Sequence, residues 1–401
     1  MLTLKLALRN IVGAGIRTWL NVVALSLSFV IIIFMQGLYN GMNDQVERAT
    51  IDALYGGGQY WQKLYDPYDP LSLTDAHAVV PANIESLMTN NEATPILIRQ
   101  ATIYPEGHFR SILLKGIDPN QHVLTLPSFL LNEHRNLKGD GSIPALIGTR
   151  MAKSVGLQKG DEITVQWRDV HGTFDARDMK IVEVMKTPVQ EIDNDQIWIS
   201  LDRIQELTSM PGQATMVVLK QKVKDQKSEA TFKNVPGWNF KNLEFLLADI
   251  HALVKQKTIG ASILYTILLF LALLAIFDTQ VLSIFRRKKE IGTLMALGMT
   301  RAKIIRLFTI EGAFHAFLAA IVAALYGIPL LVYIARTGIA LPASYDTMGY
   351  AFGEKLLPAY SAGLMIGTTL LVLLSTTVVS FLPTRRIARL KPTDALRGRL
   401  S

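Results

Sequence analysis

The stretch 286–308 reads RRKKEIGTLMALGMTRAKIIRLF and directly follows an apolar stretch that is long enough to cross a lipid bilayer. Its four consecutive cations would by themselves stop that stretch from passing through the membrane. The segment also contains Gly298 and Thr300, residue types that commonly end one helix and begin the next. It therefore predicts that the helix of the apolar stretch continues beyond the membrane through Arg286–Ala296 and meets a second helix at a tight corner, Leu297–Thr300.

Four apolar stretches of the 401-residue chain can span about 30 Å of hydrocarbon. They occupy residues 19–41, 258–285, 312–336 and 360–383. The first has a long apolar core and no small-residue cleavage pattern, which favours an uncleaved anchor over a secretory signal. The sequence therefore predicts a membrane protein with four transmembrane α-helices.

Lys and Arg predict the orientation of these helices. Cations are concentrated before the first span, in 286–311 and in the tail 384–401, although the whole chain has a net charge of only +8. Because cations near span ends favour the cytoplasmic side, we expect both termini and 286–311 to be cytoplasmic. The region 42–257 and the short loop 337–359 would then face outward.

The first residues predict an amphipathic helix over 1–18 that lies along the cytoplasmic membrane surface. Leu4 and Leu8 fall on one helical face, and Lys5, Arg9 and Arg17 fall on another. A plain basic flank is the alternative interpretation.

The outward region 42–257 predicts a large α+β domain inserted between helices 1 and 2, because strand-like and helix-like runs mix without regular βαβ alternation. Residues 241–258 look helical and lead into the second span. The strand-like runs are Ile96–Tyr104, Arg110–Lys115, Glu162–Trp167, Lys180–Met185, Gln196–Ser200 and Thr215–Leu219, and the helix-like runs are Leu146–Val155 and Leu201–Ser209.

Several chemistries are excluded or disfavoured. The chain has no cysteine, which excludes disulfides and thiol catalysis. It contains no phosphate-binding loop and no hydrolase or metalloprotease motif, so we expect no catalytic residues, no metal site, no bound cofactor and no nucleic-acid partner. Glu311 and His315, four residues apart, predict a hydrogen-bonded pair in preference to a metal site. A membrane-anchored enzyme is therefore the weakest of the functional hypotheses.

Two features of the spans carry separate predictions. Asp278 is an acidic residue within the second span, and we expect it to make a polar contact inside the helix bundle; a role in proton movement is the alternative. Small residues recur at intervals of four, and we expect them to pack helices within one subunit rather than to form a dimer seam. These residues are Gly312, Ala316, Ala320, Ala324, Gly363 and Gly367.

The predicted corner combines apolar side chains with cations. Leu294, Met295, Leu297 and Met299 lie close to basic groups in the sequence. An apolar projection with a basic rim is suited to a groove on a soluble partner protein.

The chain resembles the FtsX/MacB/LolC-LolE family of ABC-transporter permeases in several stretches. Three of them adjoin the predicted cytoplasmic side: LALRNIVGAGIRTWL (6–20), the opening segment, and PTRRIARLKPTDALR (383–397). Three others lie in the outward region: LLKGIDP (113–119), ALIGTRMAKSVGLQKGDEITV (145–165) and DNDQIWISLDRIQEL (193–207). The outward stretches are most similar to the MacB-like periplasmic domain.

The resemblance implies a permease in the inner membrane, paired with a second copy or a paralogue. A separate ABC ATPase dimer would bind ATP and Mg²⁺, and a periplasmic carrier or fusion protein is a further possible partner. The ATPase would contact a coupling segment in 286–311. Its implied contact residues are Glu290, Gly292, Leu294, Met295, Leu297, Gly298, Met299 and Thr300.

Two functions are consistent with this resemblance. The first is ATP-driven extraction of an amphiphilic cargo, a lipoprotein or lipid-like molecule, from the outer leaflet or periplasm. The alternative is an FtsX-like signalling permease that acts on a cell-wall hydrolase and moves no cargo. For the first, helical faces suggest that the cargo path between spans 1 and 2, in contact with membrane lipids, is lined by Phe29, Ile32, Ile33, Gln36, Tyr265 and Leu269.

Overall fold

The computed structural model describes residues 16–133, 142–187, 189–221, 235–340 and 355–387. The predicted helix over 1–18 and the predicted tail 384–401 lie largely outside the described residues. The chain divides into two compact units. Of the described residues, the membrane unit comprises 16–44, 253–340 and 355–387, and the sheet domain comprises those between 45 and 252.

The helices and strands are numbered here in chain order. The helices are α1 (Ile16–Thr50), α2 (Ala82–Thr89), α3 (Phe129–Glu133), α4 (Thr149–Val155), α5 (Gln190–Asp193), α6 (Leu201–Leu207), α7 (Leu243–Leu246), α8 (Ala248–Arg286), α9 (Lys288–Ala296), α10 (Arg301–Thr337) and α11 (Ala362–Ile387). The strands are β1 (Gln59–Gln62), β2 (Ala78–Val79), β3 (Ala93–Ile103), β4 (Arg110–Ile117), β5 (Ile143–Gly148), β6 (Glu162–Arg168), β7 (Phe174–Met185), β8 (Gln196–Ser200), β9 (Gln213–Ala214), β10 (Met216–Leu219), β11 (Trp238–Lys241), β12 (Ile339–Ala340) and β13 (Lys355–Leu356).

Among the described residues four helices are long and apolar enough to cross a membrane, which confirms the predicted number of transmembrane helices. They cover Val22–Tyr55, Ala248–Arg286, Arg301–Thr337 and Ala362–Arg385, with mean hydropathies of 2.0 to 2.5. The second and third have 39 and 37 residues. At 1.5 Å per residue each is nearly twice as long as the hydrocarbon core is thick.

Side chains from all four helices form the core of the membrane unit. Phe29 of α1, Ile276 of α8, Ala319 of α10 and Val372 of α11 belong to one buried apolar cluster. Small residues of α10 allow close approach: a Cβ added to Gly327 would lie 2.7 Å from the Val30 side chain.

The prediction that small residues pack helices within the subunit holds for part of the set on α10. Gly312 lies directly against Ser380, and Ala316 is buried. Ala324, however, is exposed, because four residues turn a helix by about 400° and a strict step of four drifts off the contact face. For Gly363 and Gly367 the prediction is wrong, since no other helix among the described residues lies within 4 Å of a Cβ added at either position.

Six strands of the sheet domain close into a ring. The nine-stranded sheet has the order β11-β1-β10-β3-β4-β8-β5-β7-β6, and the second half of β3 also pairs with β6. Inside the ring, Leu114, Ile147, Trp167 and Ile181 belong to one fully buried cluster, covered in part by Met151 of α4. A second cluster lies on the other face of the sheet and includes Ile98, Leu146 and Trp198.

This architecture confirms the predicted α+β class and all six predicted strands, with bounds that differ by a few residues. The predicted helix Leu146–Val155 is wrong at its start, because Leu146 and Ile147 belong to β5 and the helix begins at Thr149. A short buried apolar run is equally consistent with strand and helix. The predicted helix over 241–258 is interrupted: α7 begins after Asn242, whose side chain caps it by accepting from Phe245 N, and α8 begins at Ala248.

Candidate functional site

The helix that leaves the second span breaks at Arg287. Helix α8 ends at Arg286, Arg287 has φ −92° and ψ 13°, and α9 begins at Lys288. The predicted uninterrupted helix through Arg286–Ala296 is therefore wrong. The break allows α9 to take its own direction, and it makes Arg287 the residue that joins the two helices.

The corner after α9 has the predicted chemistry. Gly298 has φ +91°, a left-handed conformation that glycine adopts with little strain. Its N–H donates to Met295 O at 3.1 Å, and Met299 N donates to Leu294 O at 3.0 Å, which satisfies carbonyls at the end of α9. Thr300 occupies the predicted N-cap position of α10, but its hydroxyl makes no capping hydrogen bond.

Only part of the predicted apolar projection faces solvent. Leu297 is 80% exposed. Met295 and Met299 instead pack against a buried cluster of Ile284, Ile291, Ile304 and Phe308. The corner therefore presents one large apolar side chain, and its two methionines fix it to the ends of α8 and α10.

Arg287 clamps α9 to α10. Its Nη1 donates to both carboxylate oxygens of Glu311, at 3.1 and 2.9 Å, while its Nε and Nη2 donate to Glu290 at 2.8 and 2.9 Å. The guanidinium also lies 4.8 Å from the ring centre of Phe308. We call Arg287, Glu290, Glu311 and Phe308 the arginine clamp.

The two acidic partners of Arg287 differ in environment. The Glu311 side chain is 7% exposed, so its negative charge depends on Arg287 for compensation. Glu290 is exposed, and its hydrogen bonds from Arg287 lower the pKa of its carboxyl, opposed by partial burial. The predicted pairing of Glu311 with His315 is present, but Nδ1 of His315 bonds to the backbone oxygen of Glu311 at 2.7 Å.

The sequence does not indicate the clamp, because Arg287 is one of four consecutive cations that together predict orientation. The spacing of Arg287 and Glu290 is a local signal for an ion pair on a helix. Glu311 lies 24 residues further on, and nothing in the sequence pattern indicates that it meets Arg287.

The remaining predicted coupling residues lie around this site. Gly292 is buried within α9, Leu294 is partly buried, and Glu290 is held by the clamp. All eight predicted residues lie on one short segment of the membrane unit, but their contact with an ATPase stays a prediction.

The predicted cargo-lining residues lie mostly inside the membrane unit. Phe29 and Ile33 are buried and line a cavity of about 320 Å³ together with α10 and α11. Gln36 accepts a hydrogen bond from Thr368 at 2.9 Å. The structure also places Ile32 in the interior, and Tyr265 and Leu269 are partly buried. Their role in a cargo path stays a prediction.

Asp278 does not make the predicted contact inside the bundle. Asp278 is exposed on α8, whereas Gln280, two positions further on, is buried near Gly312. No group of three or more potential metal ligands occurs among the residues that the structure describes.

Comparison with known proteins agrees with this architecture. The family model of the MacB-like periplasmic core domain matches residues 18–235, and that of the FtsX-like permease C-terminal region matches residues 262–392. The matched regions cover most of the sheet domain and the helices on either side of the clamp.

Three curated relatives are informative. An uncharacterized ABC transporter permease of Methanocaldococcus jannaschii is 24% identical over 55% of each chain. The lipoprotein-releasing system transmembrane protein LolC of Xylella fastidiosa is 22% identical over 80% of each chain. The macrolide export ATP-binding/permease protein MacB of a Shewanella species is 28% identical over 39% of this chain and 22% of its own length. The present chain thus spans about half of the archaeal relative, and a smaller part of MacB.

The four membrane helices, the sheet domain between the first two, and the clamped corner define a multi-span membrane permease. The chain belongs to the FtsX/MacB/LolC family of ABC-transporter permeases.

Proposed function

We propose that this chain is the permease subunit of an ATP-driven transporter that extracts an amphiphilic cargo, a lipoprotein or lipid-like molecule. The observation that carries the proposal is the clamped corner, in which Arg287 fixes α9 to α10 and leaves Leu297 exposed. A segment that only ended a membrane span would need neither a buried ion pair nor a supporting apolar cluster.

The corner has the features of a docking element for a soluble ATPase. Exposed Leu297 is a single apolar anchor, and Lys289, Arg301 and Lys303 are exposed cations nearby in the chain. Apolar anchors with a charged rim are typical of interfaces in which a few residues supply most of the affinity. The ATPase would bind ATP and Mg²⁺, and its motion would reach the membrane helices through α9.

The distribution of cations supports an orientation with the corner in the cytoplasm. In this proposal the protein lies in the inner membrane with both termini cytoplasmic and the sheet domain outside. Two permease subunits, identical or paralogous, would stand on an ATPase dimer, so that ATP hydrolysis drives movement in the outer domain without a cargo path through the cytoplasm.

The choice of cargo is supported by the relatives. One is named for lipoprotein release and another for macrolide export, and both names indicate cargo with apolar parts. In the proposal the cargo passes beside spans 1 and 2, lined by Phe29, Ile32, Ile33, Gln36, Tyr265 and Leu269, and a periplasmic carrier or fusion protein receives it.

The test uses the full chain and its ATPase reconstituted in lipid nanodiscs. A lipoprotein substrate should change the ATPase rate, and Leu297→Asp should release the ATPase from the permease. Thr293→Ala is the matched control on α9, because the exposed Thr293 hydroxyl bonds only within the helix, to Lys289 O at 3.0 Å. Unaltered ATPase binding by Leu297→Asp would overturn the docking assignment, and an ATPase rate indifferent to every lipoprotein would overturn the cargo assignment.

A further inference from the structure

Lys115 is a buried cation in the interior of the sheet domain. It lies on β4 opposite Trp198 of the parallel strand β8, is 6% exposed, and places its Nζ 5.0 Å from the centre of the Trp198 ring. The neighbouring Ile98 and Leu146 on the same face are apolar and buried. A charged amine in such surroundings is costly unless polar groups replace its water.

Arg99 of β3 shows how this domain satisfies another buried cation. It is 5% exposed, and its guanidinium donates to the backbone oxygens of Leu73, Thr74 and Arg168 at 2.7, 3.2 and 3.3 Å. Lys115, by contrast, contacts the face of an aromatic ring and is attracted through space by Glu191. None of the residues that the structure describes accepts a hydrogen bond from its Nζ, so its three N–H donors are available to an acceptor.

Two further polar groups share the face on which Lys115 lies. Gln196 and Trp198 are two residues apart on β8, and Leu113 and Lys115 lie opposite them on β4. Because side chains two residues apart point to the same face of a sheet, all four project from one side. Trp198 Nε1 and Gln196 Oε1 are buried and have no hydrogen-bond partner among the described residues. Buried polar atoms are nearly always bonded in folded proteins, so this donor and this acceptor beside the Lys115 ammonium must bind either water or a polar ligand.

Glu191 acts electrostatically on both Lys115 and Tyr65. Glu191 is exposed on α5, and Tyr65 is partly buried against the same apolar cluster. Desolvation raises the pKa of both groups, and the Glu191 charge raises the pKa of Tyr65 further. Both groups are therefore partly dehydrated, and Glu191 is close enough to Lys115 to attract it.

We propose that Lys115, Trp198 and Gln196 form a binding site for a small molecule that carries a carboxylate or phosphate and an adjacent hydroxyl or N–H donor. The ammonium and the indole N–H would both donate to the anionic group, and Gln196 Oε1 would accept from the adjacent donor. Glu191 disfavours ligands with a high negative charge. The site is independent of the coupling segment and of the cargo path.

Inorganic phosphate and lactate are suitable probes, because each combines an anionic oxygen with a hydroxyl; propionate lacks the hydroxyl. We expect saturable binding of phosphate and lactate to the full chain in nanodiscs, measured by calorimetry at neutral pH. Lys115→Met should weaken binding about tenfold or more, the effect expected when a charged hydrogen bond is lost. Lys159→Met is the control, because Lys159 is an exposed lysine that pairs with Glu183 at 2.6 Å.

Two further variants distinguish a binding site from a structural lysine. Glu191→Gln should tighten the binding of both probes because it removes a competing negative charge, and Gln196→Leu should abolish the preference for lactate over propionate. The proposal is overturned if neither probe binds saturably, if binding survives Lys115→Met, or if Glu191→Gln weakens it. ATPase docking should be unchanged in all of these variants, so the outcome is separate from that of the proposed function.

Discussion

Arg287 in the membrane unit is a partly buried cation and Lys115 in the sheet domain is a buried one, and their partners differ. Arg287 makes four hydrogen bonds to two carboxylates, whereas Lys115 contacts an aromatic ring. The comparison shows that burial of a cation has two different consequences. A paired cation holds two elements together, and an unpaired one lowers stability and leaves donors available for a ligand.

Removal of Arg287 should have the largest effect. Arg287→Met leaves the buried Glu311 carboxylate without compensation, which we expect to cost about 3–5 kcal/mol locally and to uncouple ATP hydrolysis from substrate. Thermal unfolding and lipoprotein-stimulated ATPase activity measure the two effects. The double variant Arg287→Met/Glu311→Leu should recover much of the stability but not the coupling, and equal coupling in the wild type and both variants would contradict the role of the clamp.

Replacement of Lys115 should have an effect of similar size and opposite sign. Burial lowers the pKa of Lys115 from 10.5 to about 8, which corresponds to about 3 kcal/mol of lost stability when the amine is protonated. We therefore expect Lys115→Met to stabilise the protein at neutral pH, as measured by denaturant unfolding of the full chain. Lys159→Met should leave stability nearly unchanged.

The pH dependence of stability follows from the lowered pKa of Lys115 in the folded chain. Between pH 8 and 10.5 the unfolded chain binds more protons at this lysine than the folded chain, so its contribution makes stability rise with pH. The penalty is fully present below about pH 8. The difference in unfolding free energy between wild type and Lys115→Met should shrink across this window, and a constant difference would show that Lys115 titrates normally in the folded state.

A substitution at Gly298 tests whether the left-handed backbone conformation of the corner keeps α9 in position for ATPase binding. Gly298→Ala places a side chain at φ +91° and should cost about 1–2 kcal/mol and weaken ATPase binding. Gly260→Ala is the matched control, because Gly260 lies within α8 with open space around its Cβ position and alanine favours helices. ATPase binding that is equally strong in both variants would mean that the corner tolerates distortion. Gly298→Pro is a more severe change and should detach the ATPase.

The smallest effect is expected at the exposed half of the clamp. Glu290→Gln removes the ion pair with Arg287, in which Glu290 is half exposed to water. It should lower the free energy of unfolding by less than about 1 kcal/mol. Because Arg287 lowers the pKa of Glu290, its contribution is present above the ordinary glutamate pKa and is lost as pH falls through the folded value. The acid limb of the unfolding profile measures this, and a loss as large as that of Arg287→Met would show that Glu290, and not Glu311, is the principal partner.

Much of the fold could be predicted because its signals are local. The four spans follow from apolar length, the strands of the sheet domain from short apolar runs, and the corner from Gly298 and Thr300. Two errors have local causes. The apolar run at Leu146–Ile147 is a strand but is equally consistent with a helix. The helix break at Arg287 has no glycine or proline to indicate it.

The sequence by itself determined the membrane class, the number of spans, the family resemblance and the chemistry of the corner, because hydropathy, helix caps and charge are properties of neighbouring residues. Only the tertiary structure decided that Arg287 meets Glu311, that Met295 and Met299 face inward, and that Lys115 lies beside the ring of Trp198. These contacts join residues that are distant in the chain, and the burial that gives them their energy exists only after the helices and strands have packed.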